Sequence, residues 1–107
     1  MKKVNIVKES RDFDKVFKAK HQISSRYAFL YTYDTGQTYR FGICVSKKLG
    51  NAVTRNKLKR RVKDIIDKSE LHFNDKDYII ILKKSAREAE YLELKDDIVN
   101  LLRKSNL

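Results

Sequence analysis

The sequence predicts a small α+β protein in which helices pack against one sheet. Apolar residues recur with the helical period in three segments, alternate with a period of two in two others, and fill one further run completely. The predicted order is α-β-β-α-β-α, with one layer of helices against one sheet. With 107 residues the chain is long enough for one modest core, so a single domain is expected over residues 1–107.

The first helix is predicted over residues 11–20, with Ser10 as its N-cap. Phe13, Val16 and Phe17 occupy positions i, i+3 and i+4, which lie on one face of an α-helix. This helix is therefore expected to present an aromatic face to the rest of the protein.

Two strands are predicted next. The first, residues 26–33, has the sequence RYAFLYTY. Its large rings fall on one side of the strand: Tyr27, Phe29, Tyr31 and Tyr33. After the turn sequence DTGQ, residues 39–45 alternate again, and the two strands are predicted to pair as an antiparallel hairpin.

The second half of the chain predicts helix, strand and helix. The central helix ends near Lys68, and Asn51 and Thr54 are both candidates for its N-cap. Its apolar stripe consists of Leu58, Val62, Ile65 and Ile66. The run DYIIIL, residues 77–82, is continuously apolar after Asp77, which is typical of a strand covered on both faces. The last helix, from residue 91, has the stripe Leu94, Ile98, Leu101 and Leu102.

Positive charge is concentrated in one part of the chain. The net charge is +11, and residues 46–63 hold eight Lys or Arg and no acid. Residues 1–68 carry 18 basic and 6 acidic residues, whereas residues 69–107 carry 7 and 8. Such crowding costs stability unless a polyanion compensates it, and phosphates do so with release of counterions. A membrane surface is the alternative, but the basic helix lacks a wide apolar exposed face.

The basic residues of the central helix are arranged on one side of it. At 100° per residue, five donor-bearing side chains line one flank beside the apolar stripe, and we call them the basic flank: Arg55, Asn56, Lys59, Arg60 and Lys63. A simply solvated face would instead mix charge signs. Surplus aromatic rings next to such a flank favour stacking of unpaired bases, with ordinary core packing as the alternative.

Few residues suggest chemistry on the protein itself. His21 and His72 stand alone, and the single Cys44 excludes an internal disulfide and fits a reducing compartment. Three aspartate pairs lack further ligands for a cation: Asp12 and Asp14, Asp75 and Asp77, Asp96 and Asp97. No signal peptide or membrane helix is evident, so a cytoplasmic protein without its own catalytic centre or metal site is expected.

Residues 44–63, CVSKKLGNAVTRNKLKRRVK, resemble the signature of the bacterial ribonuclease P protein component. The resemblance continues in DFDKVFKAK, RYAFLYTY and KDYIIILKKSA. It implies the small protein subunit of a ribonucleoprotein endonuclease whose RNA, with Mg²⁺, removes the 5′ leader from precursor tRNA. It also implies an α/β sandwich with a left-handed βαβ crossover that encloses the basic helix.

The resemblance further implies two sets of binding residues. Those for the catalytic RNA are Lys47, Lys48, Asn51, Arg55, Asn56, Lys59, Arg60 and Lys63. Those for the leader are Phe13, Phe17 and Tyr31. The implied partners are the catalytic RNA and precursor tRNA, with Mg²⁺ held mainly by the RNA and substrate and with no obligatory protein partner or membrane. One departure is Lys20, which replaces a glycine that is common in the family after the first helix.

Three other functions are alternatives. A ribosomal-type structural RNA binder would share the size and charge but would not need the ordered signature. A helix-turn-helix regulator would need its recognition helix to follow another helix, whereas strands are predicted there. A protein nuclease would need a metal or acid–base set, and none can be assembled from the sequence.

Overall fold

The computed structural model describes residues 1–106, which form three α-helices and a four-stranded sheet. The helices are α1 (Ser10–Ala19), α2 (Ala52–Lys68) and α3 (Tyr91–Ser105). The strands are β1 (Gln22–Ser24), β2 (Ala28–Asp34), β3 (Arg40–Cys44) and β4 (Lys76–Leu82). Three short 3₁₀ turns cover Lys3–Asn5, Lys47–Leu49 and Lys84–Glu88. The predicted single domain extends to Leu107, which lies outside the described residues.

The element order along the chain follows the prediction with one added strand, and the strand order within the sheet is β1-β2-β4-β3. The hairpin prediction was wrong, because β4 lies between β2 and β3 and pairs antiparallel with the first and parallel with the second. The physical reason is the apolar sequence of β4, which is most stable in the centre of the sheet with both faces covered. The short strand β1, whose three residues are all exposed, was not predicted.

The connection from β3 through α2 to β4 joins two neighbouring parallel strands. This is the βαβ unit that the family resemblance implies around the basic helix. The left hand of the crossover stays a prediction. The unit brings α2 against one face of the sheet next to the edge strand β3.

The two faces of the sheet carry different helices. Leu30, Phe41 and Ile80 lie on one face and form the main core with α2 and α3. Gly42 and Ile79 lie on the other face, where α1 packs across β2 and β4. The prediction of one helix layer was therefore wrong, since a strand that is apolar on both sides needs a helix on each.

The helical stripes are buried as predicted, but two local predictions fail. Helix α1 begins at Ser10 itself, and Glu9 at the cap position makes no capping bond with its side chain. Tyr27 lies just before β2 and does not share a face with the rings of Phe29, Tyr31 and Tyr33. Its ring belongs instead to the main core, and its hydroxyl donates a hydrogen bond to Glu93 of α3 at 3.0 Å. Lys20 ends α1 at φ +57°, the left-handed conformation that a glycine adopts without strain.

Candidate nucleic-acid interface

The start of α2 is fixed by its first turn. The Asn51 side-chain oxygen accepts a hydrogen bond from the Thr54 backbone N–H at 2.9 Å, so Asn51 rather than Thr54 is the N-cap. Gly50 precedes it at φ +143°, which side chains rarely adopt. This turn places Lys47 and Lys48, both exposed, immediately before the helix.

The basic flank of α2 is not compensated by acids within residues 1–106. No Asp or Glu of this part of the chain lies within 4.0 Å of its Lys and Arg nitrogens or of those of Lys47 and Lys48. Asn56 and Arg60 are exposed, whereas Arg55, Lys59 and Lys63 are half-buried. The flank therefore presents unpaired donors whose aliphatic stems are held by packing.

The first acid of α2, Asp64, faces α3 instead. It accepts a hydrogen bond from the Tyr91 hydroxyl at 2.7 Å and pairs with Lys68 at 3.2 Å. These contacts, the Tyr91 bond first, hold the pKa of Asp64 below its usual range, and the same bond raises the pKa of Tyr91. The carboxylate is thus engaged away from the basic flank.

Arg55 is constrained more than the other residues of the flank. Its Nε is buried and has no hydrogen-bond partner among residues 1–106. A buried donor without an acceptor costs about 1–3 kcal/mol. Arg55 is therefore held at an energetic cost in a position where its terminal nitrogens can meet an anion, and an arginine there can bind a phosphate with two parallel bonds.

The aromatic residues predicted to bind the leader come together on the α1 face of the sheet. The Phe17 ring meets the Tyr31 ring edge-on with centroids 5.0 Å apart, and the Phe13 centroid lies 6.5 Å from that of Phe17. All three are half-buried, and Gln22 donates to the Tyr31 hydroxyl at 3.1 Å. We call this group of three rings the aromatic cleft.

Two further groups belong to this face and were not assigned to a site from the sequence. Phe29 precedes Tyr31 by two residues on β2, and the Lys83 ammonium lies 4.5 Å from the centre of its ring. The alternation of the strand could have identified Phe29, because it puts Phe29 beside Tyr31. Lys83, which follows β4, carries no such signal, because only the sheet order brings it to β2.

The second group is an ion-pair network at one end of the aromatic cleft. Arg40 donates to the two carboxylate oxygens of Asp77 at 2.9 and 2.6 Å and to Asp12 of α1 at 3.3 Å. Asp77 is 2 % exposed, and these bonds raise the pKa of Arg40. The network ties the first turn of α1 to the sheet. It also explains two of the aspartates that had been considered as cation ligands.

The basic flank and the aromatic cleft meet at the edge strand β3. Burial raises the pKa of the Cys44 thiol, while the positive charge of Lys59 acts in the opposite direction. Cys44 ends β3 on the face that carries α1, two residues after the Gly42 that lies under the Phe13 ring, and α2 packs against this same strand. The 3₁₀ turn with Lys47 and Lys48 also contacts the turn Lys84–Glu88, which adds Lys84 and Arg87 to the basic surroundings.

The remaining candidates for chemistry are dispersed. His21 and His72 are exposed, and Asp97 accepts hydrogen bonds from Ser25 and from the Tyr27 backbone. Within residues 1–106 no three His, Cys, Asp or Glu side chains are grouped as metal ligands. A membrane-spanning segment would need a longer and more apolar helix than any among residues 1–106.

Comparisons with known proteins identify the family. The family model described as Ribonuclease P matches residues 1–106. The chain is 39 % identical to a ribonuclease P protein component of Bacillus velezensis over all of this chain and 94 % of that protein. It is 35 % identical to one from Lactococcus lactis over all of this chain and 92 % of the relative.

Solved structures agree with this sequence match. A ribonuclease P protein from Staphylococcus aureus superposes with a TM-score of 0.88 at 32 % identity, covering 94 % of each chain. One from Thermotoga maritima superposes with a TM-score of 0.84 at 28 % identity, covering 92 % of this chain and 96 % of that one. The family model, the relatives and the solved structures thus agree, and the chain belongs to the bacterial ribonuclease P protein family.

Proposed function

We propose that this chain is the protein subunit of a cytoplasmic ribonuclease P and that it binds the catalytic RNA and precursor tRNA with two adjacent surfaces. The observation that carries the proposal is that β3 has both surfaces beside it, because the helix of the unpaired basic flank packs against this strand and the Phe13 ring of the aromatic cleft lies on its Gly42. A structural RNA binder of the ribosomal type would need the first surface but has no evident use for the second.

The basic flank would bind the catalytic RNA. Within residues 1–106 no Asp or Glu lies within 4.0 Å of its arginine and lysine nitrogens, so their charge is available to phosphates. Each phosphate contact would release condensed counterions and make binding salt-dependent. Asn56 and the cap residue Asn51 are exposed and offer amide donors and acceptors for ribose or base edges. Lys47 and Lys48 extend this surface towards the substrate.

The aromatic cleft would bind the single-stranded leader. Unpaired bases stack on aromatic faces whatever their sequence, at roughly 1–3 kcal/mol per base. The half-buried rings of Phe17 and Tyr31 keep part of their surface open, and Lys83 beside Phe29 could accompany the leader backbone. Mature tRNA has no leader, so this contact would favour substrate over product.

The chemistry of cleavage would belong to the RNA. We propose that Mg²⁺ is held mainly by the catalytic RNA and the substrate, where phosphates supply the oxygen ligands that this ion prefers. The protein would lower the Mg²⁺ requirement, because its cations reduce the repulsion between two polyanions. Its own residues would bind and orient RNA without taking part in bond cleavage.

Leader removal at low Mg²⁺ tests this function. A bacterial ribonuclease P RNA is incubated with precursor tRNA, with and without the protein, and the 5′ ends are mapped. We expect cleavage only when RNA and protein are both present. Cleavage by the protein alone would indicate a protein nuclease, and no stimulation with a well-matched RNA would favour a structural RNA binder.

Phe17→Ala separates the two surfaces in the same assay. We expect a loss of about tenfold in affinity for precursor tRNA, and little change for mature tRNA, because one stacking contact is removed. Phe73→Ala is the matched control, since Phe73 is also half-buried against other rings but packs on the opposite face. An equal loss on both tRNAs would indicate that Phe17 only supports the fold.

A further inference from the structure

Gly42 of β3 lies directly under the ring of Phe13. A Cβ atom at this position would lie 2.6 Å from Phe13 Cε1, 2.9 Å from Phe13 Cζ and 3.5 Å from Ile79 Cγ1. Ordinary carbon–carbon contacts are about 3.5–4.0 Å, so any side chain at residue 42 would have to displace the ring by about 1 Å. The ring can rest on the backbone of β3 only because residue 42 has no side chain.

Helix α1 cannot easily move away from the sheet to relieve such a contact. Arg40, two residues before Gly42 on the same strand, binds the buried Asp77 with two hydrogen bonds and reaches Asp12 of α1 at 3.3 Å. Asp12 directly precedes Phe13. Since this end of the helix is tied to the sheet, the displacement would fall on the Phe13 ring, which can turn about its side-chain torsions.

We infer that Gly42 is a positioning residue for the leader, because it sets the height of the Phe13 ring and with it the shape of the aromatic cleft. The position of this ring is passed on to Phe17, 6.5 Å away, and from there to Tyr31 at 5.0 Å. The inference rests on the proposed function, in which this cleft holds the leader. It adds that a buried residue beneath the cleft influences how strongly the protein prefers precursor tRNA, which has a leader, over mature tRNA, which has none.

Gly42→Ala tests the inference in the assembled holoenzyme. Dissociation constants are measured for precursor tRNA and for mature tRNA, together with the affinity of the protein for the catalytic RNA. We expect the preference for precursor over mature tRNA to fall about threefold to tenfold, the range for one misplaced aromatic contact. Affinity for the catalytic RNA should remain within about twofold, because the basic flank is untouched.

A second substitution distinguishes positioning from a general loss of stability. Phe13→Leu shortens the side chain above Gly42 and makes room for a methyl group there. In this background Gly42→Ala should cause no further loss of preference, so the two changes should be strongly non-additive. The double variant also supplies a folded protein if Gly42→Ala alone folds poorly.

Gly36→Ala is the matched control. Gly36 lies in the loop between β2 and β3 at φ +70°, so alanine is strained there, but a Cβ would meet nothing within 4 Å. It should lower stability and leave the preference for precursor tRNA unchanged. An equal loss of preference in Gly36→Ala, or additive losses in the double variant, would overturn the inference.

Phe17→Ala, measured alongside, separates failure of the inference from failure of the proposed function. If Phe17→Ala lowers the preference for precursor tRNA and Gly42→Ala does not, the cleft holds the leader and only the role of Gly42 is overturned. If neither variant changes the preference, the cleft is not the leader site, and the proposed role of the cleft fails together with the inference.

Discussion

The basic flank and the aromatic cleft differ in how their charges are satisfied. At the cleft, Arg40 is paired within the protein with Asp77 and Asp12, and the rings pack on each other. On the flank, residues such as Arg55 and Lys59 have no carboxylate of residues 1–106 within 4.0 Å. Charge therefore serves stability at the cleft and is left for a partner on the flank. Substitutions in the two regions should accordingly affect different measurements.

Arg40→Met should have the largest effect, and on stability. The substitution keeps most of the aliphatic stem but leaves the carboxylate of Asp77, which is 2 % exposed, without its two donors. Breaking a buried pair costs about 3–5 kcal/mol, and we expect about 3 kcal/mol because the Arg40 side chain is 28 % exposed. The free energy of unfolding is measured by urea titration.

Arg11→Met is the control for this prediction. Arg11 pairs with Glu9 at 2.7 Å, but both side chains are largely exposed, so its loss should cost less than about 1 kcal/mol. If the two variants lost the same free energy, the network at the cleft would be no more than a surface ion pair. The contrast between the two regions would then lose its basis.

Arg55→Met should reverse the pattern. We expect affinity for the catalytic RNA to fall about tenfold and the slope of its salt dependence to decrease by about one phosphate contact. Stability should stay the same or rise by about 1 kcal/mol, because the buried Nε without a partner is removed. RNA titrations at several salt concentrations and urea unfolding measure the two effects.

Arg103→Met removes the same charge from an exposed position on α3 and serves as the control for Arg55. It should lower RNA affinity far less if the position of the charge matters. An equal loss in both variants would mean that net charge alone attracts the RNA. A clear loss of stability in Arg55→Met would mean that the packing of the arginine side chain stabilises the fold by more than the unpaired Nε destabilises it.

The same two regions show what the sequence could predict. The basic flank was found from the sequence because it lies within one helix, where spacing alone determines which residues share a side. The aromatic faces of α1 and β2 were found for the same reason. Which residues share a face within one helix or one strand can be predicted without knowing the tertiary structure.

The spacing of residues could not predict which strands pair with each other in the sheet. Alternation shows which residues share a face of β2 or β3, but it does not show that β4 separates them. The double-sided apolar sequence of β4 was a usable signal, because it favours the central position and a helix on each face. The contact of Arg40 with Asp77 depends on that sheet order and carries no local signal.

The smallest effect is expected at Asp64, the first acid after the basic flank. Tyr91→Phe removes the hydroxyl that lowers the pKa of Asp64, and Lys68 remains as its partner. Because the folded pKa of Asp64 is depressed, its contribution is present above the unfolded value of about 3.9 and is lost as the pH falls through the folded pKa. The raised pKa of Tyr91 acts oppositely, so its contribution is present below about pH 10 and is lost as the pH rises beyond it.

The stability difference between the wild type and Tyr91→Phe should therefore be largest between about pH 5 and pH 9 and shrink at both ends. Urea midpoints measured from about pH 3 to about pH 11, which extends beyond both ordinary pKa values, test it, with Tyr33→Phe at an exposed tyrosine as the control. A difference that did not vary with pH would mean that only packing is lost. Affinity for the catalytic RNA should stay close to that of the wild type, because the carboxylate keeps Lys68 beside it and the basic flank keeps all of its donors. A clear loss of RNA affinity would instead mean that Tyr91 keeps Asp64 from pairing with the flank, so that stability and RNA binding are linked at this one position.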